Sequence, residues 1–159
     1  MDEGDGFVLP GEPPGLIDDL RGLLQAKGIT PTNYDLRPLR VAALGSWAVG
    51  EHPVMLVSMH APIPEVCFAV AHELGHAALA GRGLEKDPDA FAAEFLMPGS
   101  DIRPSLRDMT FPHLLELAEA WRVPPMAIAR RARDTRSITG VRFRELRAKL
   151  RHHDLTPVL

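Results

Sequence analysis

The chain has 159 residues, of which 45% are hydrophobic and 25% are charged, and this is the composition of an ordinary globular protein. That composition excludes a wholly disordered or collagen-like chain, and no apolar run approaches the roughly 18–20 residues of a membrane-spanning helix. The single cysteine, Cys67, excludes an internal disulfide and any metal site built from several cysteines. We therefore expect a reducing, cytoplasmic location and no membrane partner.

The formal net charge of −3 is unevenly distributed along the chain. Residues 1–35 carry seven acids and two bases, whereas residues 121–153 carry ten bases and two acids. Charge runs of this kind are usually the solvated faces of amphipathic helices. A weak DNA contact through the basic residues 130–151 is the alternative that the charge leaves open.

The first half of the chain predicts one helix and a small sheet. Residues 1–14 are rich in glycine and proline and predict a flexible tail. The leucine spacing predicts a helix over residues 15–28, and the prolines at both ends predict a linker over residues 31–38. Two β-rich stretches, residues 41–49 and 53–59, predict a hairpin and hence an antiparallel sheet, which we expect to have three strands.

The second half predicts helices. Residues 66–80 are apolar on nearly every side, which is typical of a buried helix, and the polar side chains in this stretch are those of His72, Glu73 and His76. A further helix is predicted from Pro88, with Asp87 as its N-cap, and it ends before Pro98. Residues 111–134 and 141–152 predict two or three more helices. Residues 111–139 have the helix–turn–helix rhythm that is typical of DNA-binding modules.

The segment His72-Glu73-Leu74-Gly75-His76 is an H-E-x-x-H motif. Residues four apart lie one above the other on a helix, so both imidazoles can bind one Zn²⁺ ion at about 2.0–2.1 Å. Glu73 is rotated about 100° from His72, beside the metal, where it can take a proton from the attacking water. This division of roles is that of zinc metalloproteases.

A catalytic zinc site needs a third protein ligand and one open position. No third histidine follows His76 at a short spacing, so the third ligand must be a carboxylate. Four acids lie downstream within reach: Glu85, Asp87, Asp89 and Glu94. The predicted capping role of Asp87 speaks against it, but spacing alone does not decide among the others.

The sequence AHELGH at residues 71–76, followed by FAAEFLMP at residues 91–98, resembles the ImmA/IrrE family of metallo-endopeptidases. That family typically has an AHELGH helix and then a segment of the form E-x-x-A-N/D-x-F-A-A-x-L-L-M-P. The resemblance implies that Glu85 is the third zinc ligand and that Asp89 orients a ligand histidine, a role that metal sites generally require. Glu94 is the alternative ligand.

The resemblance also implies a fold and an activity. We expect an α+β, zincin-like domain over residues 15–110, in which a small antiparallel sheet packs on a buried zinc-binding helix. Residues 111–152 form a C-terminal, helix-turn-helix-like part of the same unit, and residues 153–159 form a tail. The expected function is zinc-dependent, site-specific cleavage of a helix-turn-helix transcriptional repressor that controls stress, phage or mobile-element genes.

Two other classes of protein remain open at this point. One is a DNA- or protein-binding regulator whose zinc site is structural or vestigial, and a fourth protein ligand on the metal would identify it. The other is a component of a toxin–antitoxin-like pair, which would copurify with a small helix-turn-helix protein.

Overall fold

A computed structural model of the chain describes residues 16–47, 52–80 and 87–154. The predicted tail over residues 1–14 and the candidate ligand Glu85 lie outside these ranges. Among the helices that are described, none is long and apolar enough to cross a membrane. Contacts divide the chain into two compact units, one that ends at Ala92 and one that begins at Ala93.

The first unit begins with helix α1, Leu16–Ala26, which buries Leu20 and Leu24. The helix ends at Ala26, and Gly28, two residues later, has a φ of +67°, the left-handed conformation that glycine adopts without steric cost. Three short strands follow: β1 (Pro31–Tyr34), β2 (Ala43–Ser46) and β3 (Val54–Ser58). A 3₁₀ turn, Arg37–Leu39, lies between β1 and β2.

The three strands form one sheet in the order β1-β3-β2. Strands β2 and β3 pair antiparallel, with Leu44 opposite Leu56, so the predicted hairpin is confirmed. Strand β1 pairs parallel with β3, which makes the sheet mixed, and the expectation of an antiparallel sheet was wrong. The expectation of a linker over residues 31–38 was also wrong, because β1 occupies its first half. Its proline is tolerated because it is the first residue of an edge strand.

Helix α2, Ile63–Ala80, packs on β2 and β3 and also contacts α1. Pro64 lies in its first turn, where a missing N–H costs nothing, and Glu65 there is favoured by the helix dipole. The buried side of the helix includes Val66, Val70 and Leu74. Other positions, including His72 and Glu73, are only half-buried, so one side of this apolar helix is open to solvent.

Helix α3, Pro88–Leu96, begins where the capping pattern predicts. The Asp87 carboxylate accepts a hydrogen bond from the backbone N–H of Asp89 at 2.9 Å, which confirms Asp87 as the N-cap. Because this carboxylate satisfies a backbone donor at the start of the helix, its position is fixed by the fold.

The second unit is helical over the residues that the structure describes. After the end of α3 come α4 (Gly99–Ile102), a 3₁₀ turn (Arg103–Leu106), α5 (Phe111–Trp121), α6 (Pro125–Asp134) and α7 (Gly140–Asp154). Thr110 caps α5, and Arg122, with a φ of +53°, ends it. Helix α6 packs between α5 and α7, and the three bury a common core that includes Leu114, Ile128 and Leu146.

Candidate metal centre

His72 and His76 lie one turn apart on α2, and their imidazole rings meet. The two Nε2 atoms are 3.1 Å apart. The ring centroids are 4.8 Å apart, and the ring planes are inclined by 73°. The four-residue spacing therefore brings together the two nitrogens that the H-E-x-x-H motif predicts as ligands.

Asp89, in the first turn of α3, holds His72 from its other side. Asp89 Oδ1 lies 2.6 Å from His72 Nδ1. An ionised carboxylate can only accept a hydrogen bond, so Nδ1 carries the hydrogen and donates it. In the neutral imidazole this leaves a lone pair on Nε2, which is the atom that faces His76. The structure therefore places Asp89 where the family resemblance puts an orienting carboxylate.

Gly75 lets the first turn of α3 lie close to α2. A Cβ atom built on Gly75 would lie 3.2 Å from the Phe91 side chain and 3.2 Å from Pro88 Cα. A larger residue between His72 and His76 would push this turn away, and Asp89 lies in the same turn. The sequence analysis missed this role of Gly75, although a glycine inside an otherwise alanine-rich helix signals a close approach.

The arrangement fits a divalent metal ion. Two nitrogens that bind one tetrahedral zinc at about 2.0–2.1 Å are separated by about 3.3 Å, close to the observed 3.1 Å. Two imidazole lone pairs at this distance repel each other unless a proton or a cation lies between them. A histidine whose other nitrogen donates to a carboxylate is the usual form of a metal-bound histidine.

The centre is open to solvent on one side. The side chains of His72 and Asp89 are 32% and 39% exposed, and His76 is exposed. Glu73 is half-buried, and its carboxylate has no hydrogen-bond or ion-pair partner in the described part of the chain. The face of α2 that carries His76 is therefore accessible from solvent.

The structure gives less support to the other two candidate ligands, Glu85 and Glu94. Glu85 lies outside the described residues, and within them no group of three or more His, Cys, Asp or Glu side chains could hold a metal ion. Glu94, on the part of α3 that belongs to the second unit, forms an ion pair with Arg131 and accepts the N–H of Gly99 at 3.2 Å. The bond from Arg131, and secondarily that from Gly99, lowers the pKa of Glu94.

A model of the Peptidase M78 family, described as the IrrE N-terminal-like domain, matches residues 26–133. That range includes the sheet, α2, α3 and nearly all of α6, and it exceeds half of the chain. The chain belongs to the Peptidase M78 family. No curated protein matches it.

Membership in Peptidase M78 confirms the resemblance drawn from AHELGH and FAAEFLMP. It gives the chain a metallopeptidase-type function and implies a metal cofactor. Both predicted zinc-binding histidines and Asp89, the residue predicted to orient one of them, lie within the matched residues. The match ends at Arg133, so α7 falls outside it.

Proposed function

We propose that this protein is a zinc-dependent endopeptidase in which His72, His76 and Glu85 hold the metal ion. The observation that carries the proposal is the pair of Nε2 atoms 3.1 Å apart, with Asp89 bound to the far side of His72. Two histidines and a carboxylate are a common donor set for catalytic zinc, and they leave one position open for water or substrate. When bound there, Zn²⁺ polarises a carbonyl group and acidifies water.

Glu73 is the proposed general base. It follows His72 directly, so its side chain points about 100° around α2 from the metal-binding face, and it lies beside that face. From this position Glu73 takes a proton from the attacking water and passes it to the leaving amine. Its half-buried carboxylate, without a partner among the described residues, supports this role.

Asp89 is the proposed positioning residue for His72. By accepting the Nδ1–H it fixes both the tautomer and the ring orientation, so that Nε2 keeps its lone pair toward the metal position. Glu94 stays the alternative third ligand, but the support for it is weaker. Its carboxylate already neutralises Arg131, whose side chain is only 11% exposed. Binding a metal would require that pair to break.

The proposed substrate is a helix-turn-helix transcriptional repressor, cut at one site to release stress, phage or mobile-element genes. This part of the proposal rests on the resemblance to ImmA/IrrE metallo-endopeptidases and on membership in Peptidase M78. The open side of the metal centre, at His76, supports it, because a folded protein substrate needs an exposed site.

The test is repressor cleavage by Glu73→Gln beside the wild type. The substitution keeps the size of the side chain and removes the base, so cleavage should fall by about 10²–10⁴-fold while the zinc content stays unchanged. Glu65→Gln is the matched control, because it removes the same charge from an exposed position in the first turn of α2. It should cleave at the wild-type rate.

Full activity of Glu73→Gln would contradict the proposed mechanism. A wild type that binds zinc through four protein ligands and cleaves no repressor would instead identify a regulator with a structural zinc. Activity that appears only with a copurifying helix-turn-helix protein would indicate a toxin–antitoxin-like pair.

A further inference from the structure

Helix α7 has one buried and one strongly basic side. Phe143, Leu146 and Leu150 are buried and form its packing face. Three exposed arginines, Arg144, Arg147 and Arg151, follow each other at intervals of three and four residues. At 3.6 residues per turn they fall within about 60° of one another, and we call them the arginine row.

The arginine row is not neutralised within the part of the chain that the structure describes. Other arginines of the second unit have acidic partners: Arg131 pairs with Glu94, Arg133 with Asp134, and Arg142 with Glu145. Among the described residues, the three arginines of the row have no hydrogen bond or ion pair with an acid. Three unpaired charges held side by side repel one another, and an external anion relieves that repulsion.

The neighbouring helices leave the row uncovered. Helix α6 packs beside Phe143, where the Arg133 guanidinium lies 4.6 Å from the ring centroid. Helix α5 contacts the other flank of α7, where the rings of Phe111 and His153 are 5.8 Å apart. Beside these two packing contacts, all three arginines of the row stay exposed.

The helix-turn-helix rhythm of the sequence indicates α6, its second helix, as the helix that would contact DNA. In the structure α6 buries Ala127, Ile128, Ala129 and Ala132, which lie on several sides of the helix. The exposed side of α6 that remains carries Arg130, Arg133 and Asp134, and Arg133 is already paired with Asp134. The exposed row on α7 can contact phosphates, but phosphate contacts carry no direct sequence information.

We propose that the arginine row binds the phosphate backbone of duplex DNA without sequence preference. From Arg144 to Arg151 the row spans about 10.5 Å at 1.5 Å per residue. One DNA strand carries a phosphate about every 3.4 Å of helix axis, so phosphates are dense enough along this length for each of the three long arginine side chains to reach one. Arginine also suits this contact because its guanidinium donates two parallel hydrogen bonds to one phosphate.

The arginine row has no role in the proposed peptidase chemistry. The row lies outside the residues that match Peptidase M78, so family membership assigns it no role. DNA binding can be measured without zinc or cleavage, and the proposal stands or falls independently of the metal centre.

The test measures binding of the 159-residue chain to a fluorescent duplex of roughly 20 base pairs and arbitrary sequence, between about 50 and 200 mM NaCl. The row variant carries Arg144→Gln, Arg147→Gln and Arg151→Gln. Each lost phosphate contact reduces the slope of log affinity against log salt by about 0.9. The wild type should therefore lose about 40-fold more affinity than the row variant across this salt range.

The control variant carries Lys27→Gln, Arg107→Gln and Lys149→Gln, which remove the same charge from exposed positions. Lys149 is on α7 itself, about 160° around the helix from Arg147. This variant should keep the wild-type salt dependence. Replacing the row by three lysines, which retain the charges, should keep most of the binding. An unchanged thermal midpoint of the row variant would exclude misfolding as the cause of its lost binding.

Three outcomes would overturn the proposal. The first is a wild type that does not bind the duplex at about 50 mM salt. The second is an equal loss of binding in the row and control variants, which would make the effect one of total charge. The third is binding of the wild type to poly-glutamate but not to DNA, which would make the row a surface for an acidic protein.

Discussion

Replacing Asp89 by asparagine should weaken zinc binding, although Asp89 is not a proposed ligand. The change keeps the shape of the side chain but removes the charge from the 2.6 Å hydrogen bond to His72 Nδ1. Loss of a group that holds a metal-binding histidine typically costs 10–100-fold in metal affinity. Because the two side chains are 32% and 39% exposed, water replaces part of the lost interaction. We therefore expect a loss of zinc affinity at the lower end of this range, about tenfold or about 1.4 kcal/mol.

The assay is a zinc titration of metal-free protein in competition with a chromophoric chelator. Asp87→Asn is the matched control, because it removes the same charge two residues away and asparagine still caps α3. Its zinc affinity should stay within about twofold of the wild type. Equal zinc affinity in Asp89→Asn and Asp87→Asn would refute the positioning role of Asp89.

Two further predictions concern stability. Glu94→Gln leaves the Arg131 guanidinium, which is only 11% exposed, without a counter-ion. The substitution should lower the free energy of unfolding by about 1–2 kcal/mol at pH values above 4.5, the ordinary pKa of the carboxyl group. Because the pKa of Glu94 is lowered in the folded chain, the difference in stability between the wild type and Glu94→Gln should shrink as the pH falls below 4.5. A stability difference in urea unfolding that does not change with pH would contradict this prediction. Gly75→Val should destabilise the protein by about 1–3 kcal/mol, because the larger side chain overpacks against Phe91. Gly22→Ala should stabilise it by about 0.5–1 kcal/mol, because a Cβ atom on Gly22 has no other atom within 4 Å and alanine favours the helix. Equal changes in thermal midpoint for the two glycine variants would refute the packing role of Gly75.

The helices were predictable because local rules determine them. The cap at Asp87 followed by Pro88 fixed the start of α3, and the structure has that start and the capping bond. The alanine-rich stretch around the H-E-x-x-H motif predicted α2. Its burial was overestimated, because apolar composition does not reveal which side of a helix is left uncovered by the fold.

The sheet was predictable only where its strands are neighbours in sequence. The hairpin of β2 and β3 carries its signal in adjacent residues. Strand β1 is four residues long and begins with a proline, and its partner β3 lies beyond β2 in the chain. Neither periodicity nor turn residues encode such a non-local pairing, so a mixed sheet could not be distinguished from an antiparallel one.

In the candidate site, too, the contact between residues close in sequence was predictable, and contacts between distant residues were not. The spacing of His72 and His76 predicted that their rings meet on one face of α2. The contact between His72 and Asp89 crosses 17 residues and came from the family resemblance. The pair of Glu94 and Arg131 crosses 37 residues, and no local pattern indicates it. Glu85 as third ligand stays a prediction.

The central claim, that His72 and His76 hold a catalytic zinc ion together with Glu85, is tested most directly by the metal content of the purified protein. Elemental analysis should find about one zinc per chain in the wild type and a strong loss in His72→Ala and in Glu85→Ala. Zinc retained by Glu85→Ala alone would move the third ligand to Glu94 or Asp89. A wild type that takes up no zinc, even after reconstitution with excess metal, would contradict the metal centre.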